Sequence, residues 1–187
     1  MKLKTIFHVL IILECIVLFS CDKKSSNEQY SNPVQKNRPP NAVKAPDFTL
    51  VSLEGDRITL SDLQGNVILL NFWATWCGPC IMEIPDLNRL QEKYQDKGLE
   101  VIGITLTSGS PEIISIFAED QGMNYKVLTD IMGSETEVVT NEYGQATGSP
   151  ITGVPTSFII DRDGYIVKTY IGPRSERIFY SDLKRYL

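Results

Sequence analysis

The sequence feature that most constrains the fold is "NVILLNFWATWCGPCIMEIP", residues 66–85, in which two cysteines directly follow a long apolar run. An almost continuous apolar run is typical of a strand that is buried on both faces of a sheet. After the cysteines, apolar residues recur at helical spacing, namely Ile84, Leu87, Leu90 and Tyr94. Gly98 ends that helix, and "LEVIGIT", residues 99–105, predicts a second strand. Strand, helix and strand in this order predict a right-handed crossover with a parallel strand pair.

The remaining pattern extends this unit into an α/β domain over residues 45–187. It predicts a hairpin over 45–60, a helix from Ser110–Pro111 to Gln121, a strand over 125–130, a short helix over 135–143, two strands around the Asp-Gly turn of 157–172, and a last helix capped by Ser175. Residues 45–187 carry eleven basic and twenty acidic side chains, a net charge of −9. This charge argues against nucleic acid as a partner.

The first twenty residues have the layout of an export signal, because two lysines precede an apolar stretch over residues 6–19. The following "LFSC" resembles the lipobox of bacterial lipoproteins, which implies that Cys21 is lipidated and begins the mature chain. The alternative is an uncleaved membrane helix, although this stretch contains Glu14 and is shorter than the roughly 20 residues that a span needs. Both alternatives place the remaining chain outside the cytoplasmic membrane. Residues 21–44 are polar and proline-containing, which predicts a disordered tether.

The only histidine, His8, lies in the predicted signal, so the mature chain has none. This absence excludes Cys-His proteases, Ser-His hydrolases, histidine-ligated haem and two-Cys two-His zinc sites. Of the four cysteines, Cys15 leaves with the signal and Cys21 is the predicted anchor. Cys77 and Cys80 therefore remain together in the domain.

Three interpretations of Cys77 and Cys80 compete. A zinc site needs two further ligands that the mature chain does not supply from histidine or free cysteine, so we predict no metal. A structural disulfide would close a very short loop and would constrain the unfolded chain little. A redox-active dithiol fits best, because the start of a helix stabilises the Cys77 thiolate and Cys80 lies one turn further on. Gly78 leaves room for a partner, and Pro79 costs no hydrogen bond in the first turn.

"WCGPC" between a buried strand and a helix resembles the thioredoxin active site, and "GVPT" at 153–156 resembles the cis-proline loop of that family. The resemblance implies a cis bond between Val154 and Pro155, beside the cysteines. It also implies that the Val154 backbone pairs with an extended substrate. The predicted substrate-binding residues are Trp76, Gly78, Pro79, Val154 and Pro155.

Residues 45–187 most resemble the membrane-anchored TlpA/ResA-type thiol-disulfide oxidoreductases. This resemblance implies a thioredoxin-like fold: a central mixed sheet flanked by helices, with an added N-terminal β-hairpin and a helical insertion. It implies extracytoplasmic disulfide exchange without a cofactor. Peroxiredoxins are not favoured, because their proline and threonine before the reactive cysteine are replaced by Leu70 and Ala74. Copper-delivery proteins of similar fold need a histidine that the domain lacks.

Glu83 is the predicted general base for Cys80. Thioredoxin carries a buried aspartate where this chain has Asn71, and an amide does not accept a proton at neutral pH. Glu83 follows Cys80 by one helical turn, and reductive TlpA/ResA-type proteins carry a glutamate at the matching place. Partial burial would raise its pKa toward a useful range. The alternative is a solvated surface acid.

These patterns predict a lipid-anchored oxidoreductase that reduces client disulfides through Cys77 as nucleophile and Cys80 as resolving thiol. The Gly-Pro pair between them resembles reducing members, which commonly keep apocytochrome c thiols ready for haem attachment. Such an enzyme needs client proteins with disulfides and a membrane electron donor of the thiol-disulfide type. Two alternatives stay open: an oxidant that introduces disulfides, and a binding lipoprotein whose dithiol is incidental.

Overall fold

The computed structural model describes residues 38–187, so the predicted signal segment 1–20 and Cys21 lie outside the described residues. The strands are β1 Val43–Lys44, β2 Thr49–Ser52, β3 Arg57–Thr59, β4 Val67–Trp73, β5 Leu99–Thr105, β6 Lys126–Thr129, β7 Thr156–Ile160 and β8 Tyr165–Ile171. The α-helices are α1 Gly78–Tyr94, α2 Pro111–Asp120, α3 Glu135–Thr147 and α4 Glu176–Leu183. Among residues 38–187, no helix has both the length and the apolar character that a membrane span requires.

All strands belong to one mixed sheet in the order β1-β8-β7-β4-β5-β6-β2-β3. The predicted crossover is present, because β4 and β5 pair in parallel on either side of α1 in the sequence. β7 pairs with β4 in the antiparallel direction, and β8 follows it as the predicted hairpin. The predicted N-terminal hairpin is β2–β3. This is the thioredoxin-like architecture that the sequence predicts, with α2, β6 and α3 between β5 and β7.

β4 is buried along its whole length because both faces of the sheet are covered. On one face, Ile68, Leu70 and Phe72 share a core with Tyr143 of α3. On the other face, the alternate residues of β4 share a core with α1 and α4, through Val67, Leu69, Leu87, Leu90 and Phe179. Strand alternation places Asn71 on this second face, directed towards α1. A polar side chain is thereby placed beneath the helix that begins at the cysteines.

The N-terminal boundary of the domain differs from the predicted tether, which extended to Lys44. Residues Val43–Lys44 pair with β8, so this part of the chain is a strand of the sheet. Arg38 also contacts the domain, since its guanidinium lies 2.7 Å from the carboxylates of Asp161 and Asp163. It stacks 3.8 Å from the centre of the Tyr165 ring. These contacts join distant parts of the sequence, and composition alone does not reveal them.

The helix predicted over residues 135–143 continues to Thr147. Tyr143 packs this helix against the sheet, because its ring is buried against Phe72 and Phe158 in the core. Gly148 ends the helix with a φ of 65°, a left-handed conformation that glycine adopts without strain.

Gly103 on β5 allows the aromatic side chains behind the cysteines to lie against the sheet. A Cβ atom at this position would lie 2.7 Å from Nε1 of the buried Trp73 and 3.3 Å from Cε2 of Tyr125. We expect Gly103→Ala to lower the free energy of unfolding by about 1–3 kcal/mol, as overpacking does in other cores. Denaturant unfolding measures this change. Gly78→Ala is the control, because nothing lies within 4 Å of its Cβ position; equal losses in both variants would contradict the packing argument.

Candidate active site

The two cysteines lie at the junction of β4 and α1, where the sequence predicts them. Cys77 is the N-cap of α1, and Cys80 lies in the first turn. They form a disulfide with a Cα–Cα distance of 5.2 Å. The backbone N–H of Cys80 donates to Sγ of Cys77 at 3.2 Å. The sulfur of Cys77 therefore receives a hydrogen bond that stabilises a thiolate after reduction.

Exposure does not separate the two cysteines in this oxidised form. Cys77 is 4% exposed and Cys80 is 3% exposed. The two cysteines differ in position instead: Cys77 caps the helix and its Sγ accepts the N–H of Cys80. A greater exposure of Cys77, which its place at the helix start would suggest, is not seen here.

The predicted substrate-binding residues surround this disulfide. The Val154–Pro155 peptide bond is cis, as the sequence predicts. The carbonyl oxygen of Val154 lies 3.5 Å from Sγ of Cys77. Trp76 is 66% exposed, and its indole N–H donates to the carbonyl oxygen of Thr107 at 3.1 Å. Gly78 and Pro79 are exposed at the start of α1. Trp76, Gly78 and Pro79 thus form an exposed rim next to the cysteine pair in the sequence.

Glu83 is buried, so the alternative of a solvated surface acid is wrong. Its residue surface is only 2% exposed. The side-chain amide of Asn71 donates to Oε2 of Glu83 at 3.0 Å and to Oγ of Ser157 at 2.9 Å. The backbone N–H of Arg174 donates to Oε1 of Glu83 at 2.7 Å. The carboxyl group of Glu83 extends from α1 and is bound by a side chain of β4 and by the backbone of the segment before α4.

Burial dominates the electrostatics of Glu83. It raises the pKa of Glu83 from its ordinary 4.5 to about 7, against the opposing effects of the Arg174 backbone N–H, the Asn71 amide and the Arg174 charge. Asp86 on the same helix raises this pKa further. Tyr125 also faces the carboxyl group, and burial raises its own pKa above its usual range. A carboxyl group with a pKa near neutrality exchanges protons readily at neutral pH.

The raised pKa of Glu83 predicts a pH dependence of stability. Between pH 4.5 and about 7, native Glu83 binds more proton than unfolded Glu83. Its contribution to the free energy of unfolding therefore falls as the pH rises, by about 3 kcal/mol in all. In the oxidised protein the cysteines do not titrate and the domain has no histidine. We expect the free energy of unfolding of Glu83→Gln, minus that of the parent protein, to increase by this amount as the pH rises from 4.5 to about 7. A difference that does not change with pH would contradict the raised pKa.

Sequence reasoning missed Arg174, which donates to Glu83, and Ser157, which accepts from the Asn71 amide that also donates to Glu83. Ser157 is opposite Asn71 in the antiparallel pairing of β7 with β4, and the sequence patterns do not predict that pairing. Arg174 acts through its backbone N–H, and no side-chain pattern in the sequence marks it.

Comparison with known proteins agrees with this site. The family model for Redoxin matches residues 40–187. The chain belongs to the redoxin family. The thiol-disulfide oxidoreductase ResA of Bacillus anthracis is 36% identical to this redoxin over 143 residues, which are 76% of this chain and 76% of ResA. The thioredoxin-like protein YneN of Bacillus subtilis is 34% identical over 136 residues, 72% of this chain and 73% of YneN.

A solved structure gives the same result for the fold. The crystal structure of a thiol:disulfide interchange protein of the thioredoxin family from Chlorobium tepidum matches with a TM-score of 0.66 and 32% identity. The match covers 78% of this chain and 96% of that one. This redoxin is therefore a thioredoxin-like thiol-disulfide oxidoreductase whose cysteine pair is Cys77 and Cys80.

Proposed function

We propose that this redoxin reduces disulfides of client proteins outside the cytoplasm, with Cys77 as nucleophile, Cys80 as resolving thiol and Glu83 as general base. The observation that carries the proposal is the buried Glu83 carboxyl group, which lies one helical turn beyond the Cys77–Cys80 disulfide. A resolving thiol must lose a proton before it attacks, and a nearby carboxylate accepts it.

The reaction begins with the reduced pair. The Cys77 thiolate attacks one sulfur of the client disulfide, and the other client sulfur leaves as a thiolate that takes a proton from solvent. Glu83 then removes the proton of Cys80. The Cys80 thiolate attacks Sγ of Cys77, which releases the second client sulfur and forms the Cys77–Cys80 disulfide. Two electrons pass from the cysteine pair to the client, and the oxidised state is the one that the structure describes.

The proline loop and the rim supply client binding in this proposal. The Val154 backbone beside Cys77 pairs with an extended client segment, and Trp76, Gly78, Pro79 and Pro155 line the approach. The export-type N-terminus supports an extracytoplasmic site of action, with Cys21 as a lipid anchor. An oxidising compartment requires resupply of electrons, so the proposal includes a membrane electron donor of the thiol-disulfide type.

The client class that we propose is an apocytochrome c segment with a Cys-Xaa-Xaa-Cys-His disulfide. The test mixes the reduced redoxin with such an oxidised peptide and counts the peptide thiols that form. We expect close to two thiols for each redoxin that is oxidised, and none with Cys77→Ala. The reverse experiment mixes the oxidised redoxin with the reduced peptide. Efficient oxidation of the peptide would instead support the alternative function, an oxidant that introduces disulfides.

A further inference from the structure

The segment between β8 and α4, residues 172–175, binds Oε1 of Glu83, whereas Asn71 binds Oε2. Within this segment, the backbone N–H of Arg174 donates to Oε1 of Glu83 at 2.7 Å. The guanidinium of Arg174 instead turns back on its own segment. It donates to the carbonyl oxygens of Ile171 at 3.1 Å, Gly172 at 3.2 Å and Pro173 at 2.8 Å. The side chain of Arg174 thus fixes the backbone that presents its N–H.

One end of this segment is attached to the proline loop, and the residue that follows its other end is attached to α1. At one end, the N–H of Gly172 donates to the carbonyl oxygen of Pro155 at 2.8 Å. At the other end, the N–H of Glu176 donates to Oδ1 of Asp86 at 2.9 Å. The carboxylate of Glu176 also contacts Arg89 at 2.9 Å and Lys93 at 2.7 Å, further along the same helix. The segment therefore bridges the proline loop and α1, with the Glu83 contact between these two attachments.

We propose that Arg174 is a positioning residue for Glu83: its backbone N–H holds the carboxyl group in place one helical turn beyond the cysteine pair, and its guanidinium braces the segment that presents this N–H. The inference rests on the proposed role of Glu83 as general base. A hydrogen bond from an N–H group stabilises the charged form of a carboxyl group, so Arg174 favours the proton-accepting state. The other groups that face Glu83 are Asn71 on β4, Asp86 on α1 and Tyr125 before β6.

The first test needs no substitution. In the oxidised protein, the pH is varied between 4 and 9 while NMR follows the amide proton of Arg174 and the side-chain carboxyl carbon of Glu83. We expect both signals to move with the same midpoint, because the amide proton reports the charge of its acceptor. In Glu83→Gln the Arg174 signal should lose this midpoint. An Arg174 amide signal that does not move in the parent protein would overturn the proposal.

The second test compares two substitutions at one position. Arg174→Pro removes the N–H and the guanidinium, whereas Arg174→Ala removes the guanidinium alone and is the matched control. We expect the pKa of Glu83 to be higher in Arg174→Pro than in Arg174→Ala by about one unit or more, the effect of one hydrogen bond to a charged group. Equal pKa values in the two variants would overturn the proposal, and the NMR titration above decides the question if Arg174→Pro does not fold.

Failure of this inference and failure of the proposed function give different results. The NMR titrations read the protonation of Glu83 without any client, so they test Arg174 alone. The rate of client reduction by Glu83→Gln tests the general base. If Glu83→Gln reduces clients at the parental rate while the Arg174 signal follows Glu83, the general-base role fails and the positioning contact stands.

Discussion

Cys80→Ala is expected to accumulate a mixed disulfide with client proteins and to lose multiple-turnover reduction. Cys77 still attacks, because the start of α1 stabilises its thiolate independently of the side chain at position 80. Without Cys80, the mixed disulfide is resolved only when a thiol from solution attacks it. An intramolecular thiol held in place reacts far faster than a free one, so we expect turnover to fall by at least about a thousandfold.

The matched control for this trap is Cys77→Ala. It retains Cys80, which is buried inside the first turn of α1 and is not the helix cap. We expect it to form no mixed disulfide above background. Non-reducing electrophoresis followed by mass spectrometry of the linked peptides measures both variants. A larger yield of client adducts on Cys80 than on Cys77 would reverse the two roles.

Glu83→Gln is expected to slow client reduction by about a hundredfold at pH 7, which is a common contribution of a general base. The amide retains the shape of the side chain but does not accept the proton of Cys80. The pH profile should also change. In the parent, the rate of the resolving step should level off above the pKa of Glu83, about 7. In the variant, the rate should continue to rise with ionisation of the Cys80 thiol, whose ordinary pKa is about 8.5.

Glu92→Gln is the control for this experiment, because Glu92 is an exposed acid on the same helix. It makes the same acid-to-amide change on α1 without touching the buried cluster, and we expect its rate and pH profile to match the parent. Stopped-flow measurement of single-turnover release of client thiol follows the resolving step directly. If Glu83→Gln and Glu92→Gln behave alike, the proton of Cys80 goes to another acceptor.

The sequence predicts the parts of this fold and site that depend on local pattern. The apolar run of β4, the helical spacing of α1 and the cysteine pair at their junction are short-range features, and each lies where it is predicted. The proline loop is predicted by resemblance, and its cis bond is present. These features place Cys77, Cys80 and Pro155 together without knowledge of the distant contacts.

The sequence does not predict what depends on pairs of distant residues. The Arg38 guanidinium binds the carboxylates of Asp161 and Asp163, which lie more than a hundred residues later in the sequence. The burial of Glu83 follows from α1 covering β4, but its two hydrogen-bond donors come from Asn71 and from the backbone of Arg174. Backbone groups are the same at every position except proline, so only the folded chain shows which one is placed against the carboxyl group.

The reduction potential of the Cys77–Cys80 pair tests the central claim, client reduction, most directly. Equilibration of the protein with defined ratios of reduced and oxidised dithiothreitol or glutathione, followed by thiol counting, gives this value. We predict a potential near the roughly −270 mV of thioredoxin, which favours transfer of electrons to a client. A potential near the roughly −120 mV of DsbA would contradict the account and assign the protein to disulfide formation.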